Sequence, residues 1–473
     1  MEYLALDLGA GSGRAIVGTI ENGCLRLEEI HRFQNPPIQL GDTLYWDFLA
    51  LFDHLKQSVR KAVQKGYHLN GIAVDTWGVD FGLLDADGKL LSNPVCYRDA
   101  RTQGMPEKAA TVLSKEELYA ITGIQQLEIN TFYQLFSLNE TNDSAFSIAD
   151  KLLFIPDLVN YFLTGTVGNE YTIASTSQLL DAKKRIWSEE VVGRFHFPAH
   201  LFQGKMISPG SLLGTLKENI AEETGAGKVN VFAVGSHDTA SAIAAIPAEG
   251  DNWAFLSSGT WSLLGVLNNE PVLTSEALQN DFTNEGGVGS QIRFLRNIPG
   301  LWLLQRLIAE WEKEELPCDY PHLLSECAKN QSFHSIVDSD DSAFTHPVSM
   351  RKAIQNYCQA SGQAVPDTQG ELVRCVLESL AWKYSQVMKR LEKVTGRKIN
   401  QLHVVGGGSQ NEILNQLIAN SLNIEVVIGL TEATAVGNII QQAIADRTIS
   451  DWKEGHQIIK NSFTFKSYYP KLS

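Results

Sequence analysis

The sequence predicts an α/β protein of two domains, and three observations carry that prediction. The chain has 473 residues, more than one ordinary hydrophobic core organises. Short apolar runs of strand length end in small polar residues at 3–8, 70–75, 229–234, 253–256 and 402–405. Segments with helical spacing alternate with these runs. In such sheets ligands bind outside the strand ends, so the residues that close each run are the first candidates for function.

Composition excludes several classes. The chain is 44% hydrophobic and 20% charged, as expected of a globular and not a disordered protein. A net charge of -15 disfavours sequence-independent nucleic-acid binding, which needs basic surface against phosphates. It says nothing against small anionic ligands. Met1-Glu2-Tyr3 does not begin a signal peptide, and no apolar run approaches the ~20 residues of a membrane span. The six cysteines are scattered without a Cys-x-x-Cys pair, which argues against a zinc site and a disulfide scaffold. A cytoplasmic location follows as the expectation. Pairing of Cys358 with Cys375 stays open, as does the choice between a monomer and a small homo-oligomer.

The first element is the strand 3–8, closed by Gly9-Ala10-Gly11-Ser12-Gly13-Arg14. Strand character resumes at 15–20, Asn22-Gly23 is a tight hairpin turn, and a third strand covers 25–33. The glycine cluster therefore lies at a hairpin bend. No helix follows it, which rules out a dinucleotide fingerprint, and no Gly-Lys-Ser/Thr makes it a P-loop. It is either a plain tight turn or a cradle in which backbone amides and Arg14 surround a phosphate. Asp47 caps a helix whose apolar residues Phe48, Leu49, Leu51, Phe52, Leu55, Val59 and Val63 share helical spacing. The strand 70–75 ends in Thr76-Trp77-Gly78-Val79-Asp80, with another strand at 81–84. Trp77 and Gly78 read as pocket residues or, for Trp77, as core filling.

Residues 104–165 read as mostly helical, with Pro156-Asp157 opening a helix that Gly165 stops. Residues 171–177 read as a small polar connection. The strand 229–234 runs into Ser236-His237-Asp238-Thr239 at a helix entry. There Asp238 or Thr239 is a helix cap, or Asp238 is a carboxylate placed to take a proton. Pro247 to Asp251 is a polar link, and the domain boundary is set there: residues 1–246 and 247–473. The strand 253–256 leads into Ser257-Ser258-Gly259-Thr260-Trp261-Ser262, a faint echo of the first hairpin. Residues 313–367 read as polar and irregular, and 371–391 as a long amphipathic helix. The strand 402–405 ends in Gly406-Gly407-Gly408, where glycines let a planar ligand approach the backbone. The last clear helix opens at 433–438.

Together these runs carry a resemblance. Asp7-Leu-Gly-Ala-Gly-Ser-Gly-Arg14, Asp75-Thr-Trp-Gly-Val-Asp80, Tyr97-Arg-Asp99, Ser236-His-Asp-Thr-Ala-Ser241 and Leu256-Ser-Ser-Gly-Thr-Trp-Ser262 occur in order. Thr283-Asn-Glu-Gly-Gly287, Leu301-Trp-Leu-Leu-Gln305 and His403-Val-Val-Gly-Gly-Gly-Ser-Gln-Asn411 follow. In this set the chain resembles the FGGY carbohydrate kinases over nearly its whole length. Leu430 departs from the pattern, standing where similar proteins usually place Pro.

The resemblance implies two actin-like, RNase H-like domains with an inter-domain cleft, an N-terminal sugar-binding half and a C-terminal nucleotide-binding half. It implies transfer of the γ-phosphoryl group of ATP, with Mg2+, to a sugar hydroxyl. The Thr-Trp-Gly-Val-Asp and His-Asp-Thr-Ala-Ser runs point to L-rhamnulose, against L-fuculose or D-xylulose as rivals. An actin-like ATPase without a sugar is the rival of another class. By the same resemblance Asp238 is the base, and Trp77, Gly78, His237, Asp238, Thr239 and Asn297 contact the sugar. Ala10, Gly11, Ser12, Gly13, Arg14, Thr260, Gln305 and Gly407 contact the nucleotide, and Asp7 holds Mg2+ through water.

Overall fold

A computed structural model describes residues 1–345 and 347–471. The chain divides into two compact units. The first comprises Met1–Pro247, Leu267–Phe294 and Ala433–Phe463, and the second Ala248–Val266, Leu295–Glu432 and Thr464–Ser473. A single cut after residue 246 does not express the two segments that return to the first unit.

The first unit is built on the strands β1 (Glu2–Leu8), β2 (Ser12–Glu21), β3 (Cys24–Gln34), β4 (Leu69–Thr76), β5 (Leu212–Thr215) and β6 (Asn230–Phe232), in the order β5-β6-β4-β1-β2-β3. Strands β1, β4 and β6 are parallel. They lie at the sheet centre with both faces covered, which is why Tyr3, Leu4, Ala5 and Leu6 form an unbroken buried run and not an alternating one. Strands β2 and β3 are joined by Asn22 and Gly23, both at positive φ (52° and 72°), the twist a two-residue hairpin requires.

Helix α1 (Phe48–Gln64) is capped by Asp47, whose carboxylate accepts from the Ala50 N–H at 3.0 Å. It buries Phe48, Leu51, Leu55, Val59 and Ala62. Leu49 is 70% exposed; one residue past Phe48 on a helix points about 100° away from the buried stripe. The region read as mostly helical contains a strand, Lys151–Phe154, paired antiparallel with Phe81–Leu84. Its apolar run passes directly into the helix Ile155–Thr164, and periodicity cannot separate the two.

Residues 171–177 are not an open connection. They form a helical turn, Tyr171–Ala174, and a tighter one, Ser175–Ser177. The hydroxyls of Ser175, Thr176 and Ser177 donate to the carbonyls of Thr172, Ile173 and Ala174 at 2.7, 2.8 and 2.6 Å, so polar residues are buried with partners in hand. Helix α2 (Asp238–Ala244) packs on α3 (Ala433–Ala445). At Gly437 an added β-carbon would lie 1.9 Å from the Ser241 carbonyl oxygen, so only glycine allows this approach. A further helix, Trp452–Ser462, follows what the sequence presents as the last one.

In the second unit the strands are β7 (Trp253–Ser258), β8 (Trp261–Asn268), β9 (Ile292–Pro299), β10 (Gln401–Val405), β11 (Glu425–Ile428) and β12 (Lys466–Tyr468), in the order β9-β8-β7-β10-β11-β12. Strands β7 and β8 form a hairpin with Ser258 opposite Ser262. Strands β7, β10 and β11 are parallel. The expected long helix runs Gln369–Thr395 with a Thr368/Glu371 capping box.

The stretch 313–367 is more ordered than its composition suggests. It holds helices Tyr320–Lys329 and Met350–Ala360. Asp340 pairs with Arg296 at 2.8 Å and with Lys383 at 2.5 Å. Cys358 and Cys375 are buried free thiols. Leu430 is buried. No helix among the described residues is long and apolar enough to cross a membrane.

Candidate active site

The parallel strands of the first unit bring their carboxyl ends together. Asp7 on β1 is in register with Asp75 on β4, and Thr76 bridges to His237 beyond β6. Asp7 also faces Arg14 across the β1–β2 hairpin, and Arg14 Nη2 donates to Asp7 Oδ2 at 2.6 Å. The loop between them closes through the Gly9 N–H on the Ser12 carbonyl, 2.9 Å. Asn35 holds it from behind, its Nδ2 donating to the Gly9 carbonyl and its backbone N–H to that of Gly11. Ala10 and Ser12 are half-buried and Gly11 is exposed with open space around it. Gly13 is held by packing, since a β-carbon there would lie 2.2 Å from the Phe33 ring.

Asp75 was quoted from sequence only as the first residue of a motif run, with no role given. It is fully buried, accepts from Asn438 Nδ2 at 2.6 Å through Oδ2, and leaves Oδ1 without a partner. Burial, then the neighbouring Asp7 and Asp238 carboxylates, raise its pKa well above the usual range. Among the described residues no three His, Cys, Asp or Glu side chains converge as a metal cage. Asp7 beside the unpartnered Oδ1 of Asp75 suits a hydrated Mg2+, which uses one or two carboxylates and keeps its waters.

The Trp77–Asp80 turn is organised by Asp80, which the sequence reading quoted within a motif run and gave no role of its own. Asp80 Oδ2 accepts from the indoles of Trp46 (2.6 Å) and Trp77 (2.9 Å) and from the Tyr97 N–H (3.2 Å), and Oδ1 from Gln134 Nε2 (3.1 Å). Burial pushes Asp80 up to about 6 against these donors. The Trp46 and Trp77 rings lie 4.4 Å apart. Trp77 is thus mainly core, 5% exposed; its N–H is engaged, so it offers a ligand ring contact only. Val79 has φ 69°, a left-handed conformation that a β-branched residue adopts only under constraint. Thr131 Oγ1 donates to its carbonyl at 2.6 Å, and its N–H donates to Thr176 Oγ1 at 3.3 Å. Gly78 is half-buried; a β-carbon there would be 3.3 Å from Thr176 Oγ1 and 3.5 Å from His237 Nε2.

His237 occupies the N-cap position of α2, without a side-chain cap bond. Neither Asp238 nor Thr239 is the cap. Asp238 is the first helical residue, and its Oδ1 accepts from the Thr239 N–H (2.5 Å) and Oγ1 (2.9 Å). Its side chain remains 31% exposed, open to a ligand. The backbone before it is clamped by a buried carboxylate. Glu170 accepts from the N–H groups of Thr172, Ile173 and Ser236 and from Thr172 Oγ1, while burial pushes it up to about 7. Behind His237 lies Arg293, fully buried, with Nη2 3.0 Å from His237 Nδ1 and 3.3 Å from Glu285 Oε2. Glu170 and Arg293 carry no local sequence signal; Thr283–Gly287 was quoted only as part of a resemblance.

The second unit holds Thr260, Asn297, Gln305 and Gly407. Thr260 sits at the β7–β8 hairpin, its Oγ1 donating to Gln305 Oε1 at 3.0 Å. Gly300 and Leu301 brace the hairpin, their N–H groups donating to the Thr260 and Gly259 carbonyls at 3.0 and 2.9 Å. Asn297 is on β9, one residue past Arg296. The three glycines after β10 are not equivalent. Added β-carbons at Gly406 and Gly408 would lie 2.8 Å from Ser258 O and 2.2 Å from Ser258 Oγ, whereas Gly407 is exposed with nothing within 4 Å. The buried hydroxyls of Ser258 and Ser409 have no partner.

Two family models match this chain. The N-terminal domain of the FGGY family of carbohydrate kinases matches residues 2–245, and its C-terminal domain residues 254–445. The chain belongs to the FGGY family of carbohydrate kinases, ATP-dependent enzymes that phosphorylate a sugar hydroxyl. Curated relatives narrow this. A rhamnulokinase of Bacteroides thetaiotaomicron is 44% identical over 99% of this chain and 96% of its own length, and one of Oceanobacillus iheyensis is 42% identical over 98% and 97%. Among solved structures, gluconate kinase from Lactobacillus acidophilus superposes with TM-score 0.80 at 17% identity over 99% of this chain and 94% of that one. Plasmodium falciparum glycerol kinase with ADP gives TM-score 0.80 at 14% identity, covering 100% and 94%. Similarities at that level show the fold, and the two-domain kinase fold implied by the motifs is the one found.

Proposed function

We propose that the chain is a cytoplasmic L-rhamnulose kinase. It transfers the γ-phosphoryl group of ATP, with Mg2+, to the 1-hydroxyl of the sugar, giving L-rhamnulose 1-phosphate and ADP in L-rhamnose breakdown. The observation that carries the reading is the 38–44% identity, over nearly the whole chain, to relatives named rhamnulokinase. Phosphoryl transfer needs positioning and charge stabilisation more than covalent chemistry, and the residues divide along those lines. Asp238 accepts the proton of the sugar O1 as that oxygen attacks phosphorus in line. His237, Thr239, Gly78 and Asn297 position sugar hydroxyls, and the Trp77 ring adds an apolar contact. Ala10–Arg14 hold the transferring phosphate through backbone amides and the Arg14 guanidinium. Thr260, Gln305 and Gly407 hold the rest of the nucleotide. Asp7, with Asp75 in register, holds Mg2+ through water; bound there, the ion neutralises phosphate charge.

A ketose panel read by ADP release tests the proposal. The expected order of kcat/KM places L-rhamnulose above L-fuculose and D-xylulose. A preference for D-xylulose, or ADP release that ignores the sugar, overturns it.

A further inference from the structure

From the geometry behind His237 we infer that Arg293 is a positioning residue that fixes the tautomer of His237, so that its Nε2 faces the sugar as a hydrogen-bond donor. A neutral imidazole carries one N–H, and which nitrogen holds it is set by the partner of the other. A guanidinium has only donors. Arg293 Nη2 lies 3.0 Å from His237 Nδ1, so Nδ1 accepts and the ring proton resides on Nε2. The competing influence is a carboxylate. Glu285 Oε2 lies 3.5 Å from the same Nδ1 and would draw a proton onto it. The same Arg293 nitrogen donates to His237 Nδ1 at 3.0 Å and forms an ion pair with Glu285 Oε2 at 3.3 Å, so the guanidinium charge counters the carboxylate beside the ring. Its Nε donates to the Gly286 carbonyl at 2.7 Å, which locks the guanidinium plane. An Arg at this depth is costly without such a task.

The consequence lies on the other side of the ring. Nε2 is 3.5 Å from Asp238 Oδ1 and 3.5 Å from where a β-carbon on Gly78 would stand. A donor there meets a ketose oxygen while Asp238 receives the proton of the neighbouring hydroxyl. With the opposite tautomer, Nε2 would be a second acceptor beside the carboxylate, and a sugar hydroxyl would be drawn from the base. That consequence rests on the sugar-kinase reading; the tautomer does not.

The test uses full-length protein labelled with 15N-histidine, with His237→Asn to assign the His237 signals. Two-bond nitrogen–proton correlation spectra report which ring nitrogen is protonated. The expected result is a protonated Nε2 and a bare Nδ1 in the wild type, retained in Arg293→Lys, which keeps a donor. In Arg293→Met the proton moves toward Nδ1, KM for the ketose rises roughly 10-fold for the lost hydrogen bond, and KM for ATP is unchanged. A wild-type spectrum with the proton on Nδ1, or an Arg293→Met protein with the tautomer unchanged, overturns the inference. If Arg293→Met does not fold, the wild-type and Arg293→Lys spectra decide. Failure of the ketose panel with the Nε2–H spectrum intact would remove the substrate and leave the Arg293 role standing.

Discussion

The two units share a strand order and differ in what closes the strands. In each, a three-strand ribbon runs into two parallel strands: β3-β2-β1-β4-β6 in the first unit and β9-β8-β7-β10-β11 in the second. The first unit ends its parallel strands in side chains held rigidly in a dry setting. Asp75, Asp80 and Glu170 are buried with pKa values pushed upward, and Val79 is held in a strained conformation. The second unit ends its strands in glycines and hydroxyls, with Gly407 and Gln305 exposed. Under the proposed function, similar frames would serve two recognition problems. Discriminating one hydroxyl pattern from another requires fixed donors and acceptors, whereas a nucleotide common to many enzymes can be held by backbone. If so, substitutions around Asp238 and Asp80 in the first unit should strike chemistry and sugar choice, and those at Gln305 and Gly407 in the second nucleotide affinity.

The largest expected effect is at Asp238. Asp238→Asn keeps a side chain that can still accept from the Thr239 N–H and hydroxyl, but it cannot take a proton. Turnover should fall by roughly 10²–10⁴-fold, with calorimetry still showing both substrates bound. Near-normal turnover would remove Asp238 from the base role. Gln305→Ala in the second unit should raise KM for ATP with kcat nearly unchanged. An equal loss of kcat there would collapse the proposed division.

Gly437→Ala comes next, acting through the support of the site. Its β-carbon would meet the Ser241 carbonyl oxygen at 1.9 Å, a backbone atom that cannot turn aside. Separating α3 from α2 should cost about 3 kcal/mol or more, read as a lower urea midpoint, and should displace Asp238 at the start of α2.

Asp80 gives a pH signature. Its folded pKa, about 6, lies above its ordinary 3.8, so the folded state binds the proton more tightly. The stabilisation is present in full below about pH 4 and is lost as pH rises through 6. Glu170, raised to about 7, acts in the same direction at slightly higher pH. Asp80→Asn should therefore lose most against the wild type near pH 4, and the gap in urea midpoint should narrow toward pH 7. Because Asp80 holds Trp46 and Trp77 together, the variant should also raise KM for the sugar and leave KM for ATP alone. A gap that widens with pH would reverse the reading of Asp80.

Much of this was legible in the sequence, for physical reasons that also mark where legibility stopped. Strands ending in small polar residues announced both the sheets and the loops beyond them, and Asn22-Gly23 and Asp47 announced a turn and a cap by local chemistry alone. What could not be read depends on contacts remote in sequence. Arg293 acts on a residue 56 positions away, and Asn438 reaches Asp75 across 363. Lys151–Phe154 was hidden because an apolar strand passing straight into an apolar helix shows no change of period. Residues 171–177 read as a small polar connection because hydroxyls are usually wet, yet those of Ser175, Thr176 and Ser177 are each satisfied by a carbonyl one turn back. Trp77 carried two readings, and only the Asp80 contact on its indole shows why the ring is mostly core.

The smallest expected effect separates the three glycines of the second unit. By local composition Gly406, Gly407 and Gly408 look interchangeable, and only the family resemblance picks out Gly407. Gly406 combines a positive φ of 86° with a 2.8 Å approach to Ser258 O, and Gly408 meets Ser258 Oγ at 2.2 Å. Gly408→Ala must displace a side chain or the strand end and should cost about 1–3 kcal/mol. Gly407→Ala meets no atom within 4 Å, so stability should change by less than about 0.5 kcal/mol. A methyl group there would still occupy space that a nucleotide lying on the backbone requires. The expected outcome is an unchanged urea midpoint, a severalfold higher KM for ATP, and an unchanged KM for the sugar. If Gly407→Ala leaves KM for ATP untouched, the nucleotide does not lie on this glycine, and the backbone-recognition half of the comparison loses its main support.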